Sequence, residues 1–259
     1  MWTSKHVVIV GGCGHVGLPL GLLFASRGVK VTLLDIDKAK VEKVNRGQMP
    51  FLEQGAPELL QRVVGKGLEA TLDGACLARA DAAIAVVGTP VDKYLNPTLR
   101  NLCRSVDDLL IHLPEDALLV LRSTIYPGVT KIVYDRVQAL GRKVHVAFCP
   151  ERITEGKAIE ELTRLPQIVA AFEPEAMARA RNLFSILSPD IIELTPAEAE
   201  LAQSGLQPNQ APGGGRQAVA LAMLAASHGV SHSPGQVGQT SQARQPHAAV
   251  RAARVEEPV

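Results

Sequence analysis

The chain has 259 residues, a formal net charge of +1 and a sequence pI near 7.7, with 46% hydrophobic and 3% aromatic residues. That balance gives no electrostatic reason to expect a nucleic-acid or membrane partner, and so few aromatics leave little surface for stacking bases. The length suffices for one large or two small domains with ample core.

The N-terminus, MWTSKHVVIV, enters an apolar run at once, with no long apolar segment or cleavage site, so a cytoplasmic location is the expectation. That run, His6 to Val10, gives way to Gly12, Gly14 and Gly17 at the spacing G-x-G-x-x-G. A helical pattern follows (Leu18, Leu20, Leu22, Leu23, Phe24), then a second apolar run that ends on Asp35. The order is strand, tight turn, helix, strand, and the spacing has a physical reason. The first glycine allows the sharp turn, the second lets the backbone approach a pyrophosphate, and the third lets helix pack closely on strand. The helix start offers N–H groups and a positive dipole to the phosphates. Cys13, His15 and Val16 fill the intervening positions and count with the glycines as cofactor-binding residues. Asp35 is placed to accept hydrogen bonds from the adenosine ribose, and its charge favours NAD because it repels a 2′-phosphate. Pro19 is tolerated in a first helical turn, where its missing N–H matters little.

Lys38 to Asn45 reads as a polar helix, and RGQMPFLEQGAPELL as a loop before another helix. LEATL (68 to 72), AAIAVVG (82 to 88), ALLVLRST (117 to 124) and VHVAFCPE (144 to 151) are apolar runs of strand length, with helix-like stretches at about 99 to 112 and 128 to 140. This alternation predicts an α/β fold with a doubly wound parallel sheet, and ligands then bind beyond the carboxyl ends of the strands. Three loops converge there: GTP (Gly88, Thr89, Pro90), STIYPG (Ser123 to Gly128) and CPERITEG (Cys149 to Gly156). Thr89, Ser123 and Thr124 either cap helices or face the ligand. Glu151 is a candidate base or water-positioning group beside the cofactor edge. Arg152 either pairs with a phosphate or carboxylate of a substrate or with a neighbouring acid. Four cysteines (Cys13, Cys76, Cys103, Cys149) lie far apart without C-x-x-C spacing, which points to reduced thiols and no metal site. Cys149, at a strand end, reads as a packing thiol.

From 158 to 194 the pattern continues with a polar helix, the short strand PQIVAAF, a helix around 174 to 187 and DIIEL. TPAEAEL then begins a helix, with Thr195 as N-cap, Pro196 at the first position and Glu198 completing a capping box. From Gln203 onward the chain holds no Lys, Asp, Ile, Phe, Tyr or Trp, and beyond a short helix at about 216 to 227 it has no apolar periodicity. That twelve-residue apolar stretch is too short to cross a membrane. Residues 1–198 are therefore read as one NAD-binding domain, and 199–259 as a broken helix and a low-complexity tail that cannot bury enough surface to order itself. The tail is either a natural disordered segment or a shifted reading frame. The second is favoured, because a helix with a well-formed start loses its pattern abruptly.

GCGHVGLP, LLDID, NRGQMPFLEQG, GTPVD, RSTIYPG, CPERITEGKAIEEL, LPQIV and ELTPAEAELA occur in that order over residues 6 to 202. Together they closely resemble the N-terminal part of the UDP-glucose/GDP-mannose dehydrogenase family, and CPER and LPQIV look most like its UDP-N-acetylmannosamine branch. The resemblance implies NAD-dependent oxidation of the C6 alcohol of a UDP-sugar to the carboxylate. It implies that Gly12, Gly14 and Gly17 hold the pyrophosphate, Asp35 the ribose with Lys40 near it, and Thr89, Pro90, Thr124 and Glu155 the nicotinamide side. Thr124 would also hold a water, Glu151 would assist hydrolysis of a covalent intermediate, and Arg152 would meet the sugar nucleotide. The family's nucleophilic cysteine, its UDP-binding domain and its dimerisation helix have no counterpart in the segments that match. Gln203 stands where the family carries a lysine. The resemblance thus implies a homodimer whose dimer helix is broken here, and a chain without turnover of its own. A 2-hydroxyacid or 3-hydroxyacyl dehydrogenase shares only the opening fingerprint, and CPER, GTPVD and STIYPG argue against it.

Overall fold

A computed structural model describes residues 4–86 and 99–206 of the chain. Thr89, Pro90, the 216 to 227 stretch and most of the tail lie outside the described residues.

Among the described residues eight strands form one sheet in the order β3-β2-β1-β4-β5-β6-β7-β8. They are β1 (His6–Val10), β2 (Lys30–Leu34), β3 (Leu68–Thr71), β4 (Ala82–Ala85), β5 (Leu118–Leu121), β6 (His145–Phe148), β7 (Gln167–Ala171) and β8 (Ile191–Leu194). The helices are α1 (Gly17–Ser26), α2 (Lys38–Asn45), α3 (Ala56–Val63), α4 (Leu99–His112), α5 (Val129–Ala139), α6 (Ala158–Arg164), α7 (Pro174–Phe184) and α8 (Pro196–Leu206). A short 3-10 helix, Gly74–Arg79, precedes β4 and has no apolar signature in the sequence. β1 to β6 are parallel in the 3-2-1-4-5-6 order, so the chain reverses its direction of growth between β1 and β4. Ligands bind at that crevice in open α/β sheets.

The central strands are apolar on both faces because both are covered, as parallel crossovers require. On one face Val7 and Ile9 pack with α1, α3, α6 and α7. On the other, Val8, Ala83 and Leu119 pack with the 3-10 helix, α4, α5 and α8. Helix α1 is buried from Gly17 through Ala25, which explains an apolar pattern that runs all the way round it.

The prediction of a parallel sheet holds through β6 and is then corrected, because β7 pairs antiparallel with β6. Gln167, the first residue of β7, bonds Arg122, the residue after β5, so β7 starts at the edge where β5 and β6 end. The chain has not recrossed the sheet, and β7 must run backwards. β8 follows through α7 parallel to β7. Helix α8 therefore leaves from the opposite edge and returns toward the carboxyl ends of β4 to β6. Its start is the expected capping box: Thr195 N donates to Glu198 Oε2 at 2.8 Å, and Glu198 N to Thr195 Oγ1 at 3.4 Å. Ala199, Glu200, Ala202 and Gln203 are buried, so residue 198, the boundary read from the sequence, falls inside a packed helix.

Candidate cofactor site

The glycine turn follows β1. Gly11 N and Gly12 N both donate to Leu34 O, at 2.8 and 3.1 Å, which ties the turn to the end of β2. The left-handed residue that makes the turn is Gly11, at φ +77°, and not Gly12 as the fingerprint reading has it. Gly12 serves close packing: a Cβ there would lie 2.7 Å from Ile9 O and 2.8 Å from the Leu33 Cα. Gly17 brings α1 against the turn, with a Cβ 2.7 Å from Gly11 O. Gly14 differs from both, since among the described residues a Cβ there would have only Gly11 O near it, at 3.5 Å. That is the cradle a pyrophosphate needs: backbone exposed where a side chain would stand. Among the described residues no side chain caps the start of α1, so its N–H groups and dipole face the same space. Pro19 sits at the third helical position.

Asp35, at the end of β2, is fixed by two backbone donors: Cys13 N to Oδ2 at 2.8 Å and Asp37 N to Oδ1 at 3.0 Å. Each oxygen retains a lone pair for a ribose hydroxyl. Asp37 caps α2 through Lys40 N, and the Lys40 ammonium lies 3.7 Å from Asp37, which keeps a cation at this end of the site. His15 projects from the turn and stacks on Phe51, with ring centroids 3.9 Å apart and planes at 27°. The contact joins the turn to the 46 to 55 loop. That loop is held in turn by buried Glu53, which accepts from Gly156 N at 3.0 Å. Val16 is the N-cap of α1. Cys13 is buried, and its thiol is pushed up to about 12 by desolvation and by the nearby Asp35 charge.

The other loops meet at the same edge. β5 and β6 are two and three strands from β1, or about 10 to 15 Å at ordinary strand spacing. Val86, beside Gly11, leads into the segment that carries Thr89 and Pro90. Thr124 is exposed beyond β5, and Glu155 is exposed beyond β6. Glu151 is tied down. Its Oε2 accepts from Arg122 Nε and Nη2, both at 2.8 Å, and its Oε1 accepts from Arg152 N at 2.6 Å and Ile153 N at 2.9 Å. So bound, the carboxylate is fixed in orientation by four donors from Arg122, Arg152 and Ile153. The Arg152 guanidinium donates to Pro166 O, and burial lowers its pKa. Cys149 is fully buried, its thiol pushed up to about 12 by desolvation.

Arg122 and Glu200 were not singled out in the sequence, and Gln203 only as standing where the family carries a lysine. Arg122 is buried to 1% side-chain exposure, lies 4.8 Å over the Phe184 ring, and donates to Cys149 O and Gln167 Oε1 as well as Glu151. A charged residue directly after the fully buried run LLVL was the available signal. Glu200 lies inside the ELTPAEAELA motif and Gln203 opens the stretch where the composition turns featureless, and only the packing of α8 distinguishes them.

The family model described as "UDP-glucose/GDP-mannose dehydrogenase family, NAD binding domain" matches residues 5–188. The UDP-N-acetyl-D-mannosamine dehydrogenase of Methanococcus vannielii is 30% identical over 185 residues, 70% of this chain and 42% of that protein. The UDP-glucose 6-dehydrogenase of Rickettsia conorii is 31% identical over 173 residues, 65% of this chain and 40% of that protein. The solved structure of a UDP-D-ManNAc dehydrogenase from Pyrococcus horikoshii superposes with a TM-score of 0.71 at 26% identity, covering 76% of this chain and 49% of the other. This chain thus spans less than half the length of these relatives. With the glycine turn, the Asp35 carboxylate and the strand order in agreement, the chain belongs to the UDP-glucose/GDP-mannose dehydrogenase family and contains its NAD-binding domain.

Proposed function

We propose that this chain supplies the cofactor half of an NAD-dependent UDP-sugar 6-dehydrogenase whose substrate is UDP-N-acetylmannosamine or a close relative. The observation that carries the proposal is the open approach at Gly14 beside a backbone-oriented Asp35 carboxylate. Gly12, Gly14 and Gly17 seat the pyrophosphate against the start of α1, and Asp35 binds the adenosine ribose with Lys40 at its flank. Cys13 contributes its backbone N–H to fixing Asp35, and His15 and Val16 border the phosphates. Thr89, Pro90, Thr124 and Glu155 face the nicotinamide. When bound, NAD accepts hydride from the sugar C6. Thr124 holds a water, Glu151 orients it with the carboxylate that Arg122 anchors, and Arg152 lies toward the sugar nucleotide. Because relatives are named for both sugars, the N-acetylmannosamine reading rests on the CPER and LPQIV wording.

A second reading has its own support: residues 1–259 bind NAD without oxidising sugar. Turnover through a thiohemiacetal needs an accessible thiolate. Cys13 and Cys149 are buried with thiols near 12, and burial also raises Cys76, which leaves half-buried Cys103 on α4 as the accessible thiol. The test joins calorimetric titration of NAD with an assay of NADH formation from UDP-N-acetylmannosamine. Binding with no NADH formed selects the second reading, and turnover at an ordinary enzyme rate refutes it. Absence of NAD binding, with Asp35→Ala no different from the unsubstituted chain, refutes both.

A further inference from the structure

We propose that Gln203 and Glu200 of α8 are positioning residues that hold the Thr124 loop against the nicotinamide side of the cofactor, an inference that rests on the cofactor reading above. The loop from Ser123 to Gly128 joins β5 to α5 at the carboxyl edge of the sheet. Two side chains of α8 grip it. Gln203 reaches around Thr124: its Oε1 accepts from Ile125 N at 3.0 Å, and its Nε2 donates to Ser123 O at 3.3 Å. Glu200, one turn earlier, accepts from Gly128 N at 2.7 Å and Thr130 N at 2.8 Å, and so caps α5 from another helix. Both residues are 2% exposed.

The arrangement is costly unless the loop is held in this form. A carboxylate buried to this degree is stable only with charge-assisted partners, and the N–H groups at the start of α5 are such partners. The amide of Gln203 matches one acceptor and one donor on either side of a single residue, Thr124, which is itself exposed. The backbone of Thr124 is bracketed by bonds to a helix that enters the sheet's edge only because β7 and β8 run backwards. Cofactor binding on the nicotinamide side therefore depends on residues beyond 198, in the very stretch where the sequence loses its pattern.

The test uses the full chain and two probes, NADH and ADP. ADP engages only the glycine turn and Asp35, whereas NADH also reaches the Thr124 loop. Gln203→Met keeps an unbranched helix-forming side chain and removes both hydrogen bonds. It is expected to weaken NADH binding about five- to tenfold while ADP affinity is unchanged. Glu200→Gln, which retains a single acceptor oxygen, is expected to act in the same direction by a smaller factor. NADH fluorescence anisotropy and ADP calorimetry read the two affinities. Equal affinities in variant and unsubstituted chain overturn the proposal, as does a loss shared equally by NADH and ADP, which marks a merely structural role. If the unsubstituted chain binds neither probe, the cofactor reading falls and this inference with it. If it binds both and only NADH discriminates the variants, both stand.

Discussion

Adding one methyl group at Gly14 and at Gly12 separates binding from folding within a single turn. At Gly14 the new Cβ meets, among the described residues, only Gly11 O, at 3.5 Å, which is ordinary van der Waals contact, and its φ lies outside the left-handed region. Gly14→Ala is therefore expected to leave stability unchanged or raised by up to about 1 kcal/mol, through the lost entropy of the unfolded chain. The same methyl occupies the space into which a diphosphate must come. Loss of one or two backbone hydrogen bonds to a charged group, at about 1.5 to 3 kcal/mol each, weakens NAD binding by at least tenfold. Gly12→Ala has the opposite outcome. Its Cβ would stand 2.7 Å from Ile9 O and 2.8 Å from the Leu33 Cα, which are backbone atoms that no rotamer change can move. Overpacking of this kind costs roughly 1 to 3 kcal/mol, and a domain of this size then melts about 2 to 12 °C lower. Thermal unfolding by circular dichroism and NAD titration calorimetry measure the pair. A Gly14→Ala protein that binds NAD as tightly as the parent refutes the placement of the pyrophosphate, and a Gly12→Ala protein of parental stability refutes the packing argument.

Three further outcomes follow from the buried groups. Glu151→Ala leaves the Arg122 guanidinium, with 1% side-chain exposure, without its carboxylate, and is expected to lower unfolding free energy by about 3 to 5 kcal/mol; a denaturant midpoint equal to the parent's would show that Glu151 does not anchor the fold. Iodoacetamide on the native protein at neutral pH is expected to modify half-buried Cys103 well before Cys13 or Cys149, whose thiols are pushed up to about 12, and peptide mass spectrometry showing Cys149 labelled first would reverse that order. His6 is buried between Thr32 Oγ1 and Arg79 O, and burial lowers its pKa below the ordinary 6.5. The unfolded chain takes up a proton that the native state resists, so this contribution is present above about pH 6.5 and is lost as pH falls toward the folded value. Melting temperature should accordingly fall less for His6→Asn than for the parent between about pH 7.5 and 5.5, and parallel profiles would exclude a buried neutral imidazole.

The sequence alone determined the class of fold and the position of the glycine turn and Asp35 at the strand ends, because both are local. Alternating apolar runs set strands and helices by period, and G-x-G-x-x-G, Asp35 and the Thr195 capping box each act over a few residues. Even there the turn residue was misassigned by one position, since Gly11 and Gly12 are indistinguishable until the φ angle and the neighbours of Gly12 are known. Tertiary structure decided what depends on long-range approach. The reversal of β7 hangs on Gln167 starting at the edge where Arg122 emerges, 45 residues away in sequence. The binding of Glu151 by Arg122 joins two loops that read separately as motifs. The grip of Glu200 and Gln203 on the Thr124 loop joins residues 70 to 80 apart, and it falls where the composition is losing its periodic signal. Local propensity is written in neighbours, whereas a buried polar side chain finds its partner only when the whole sheet has brought two distant backbones together.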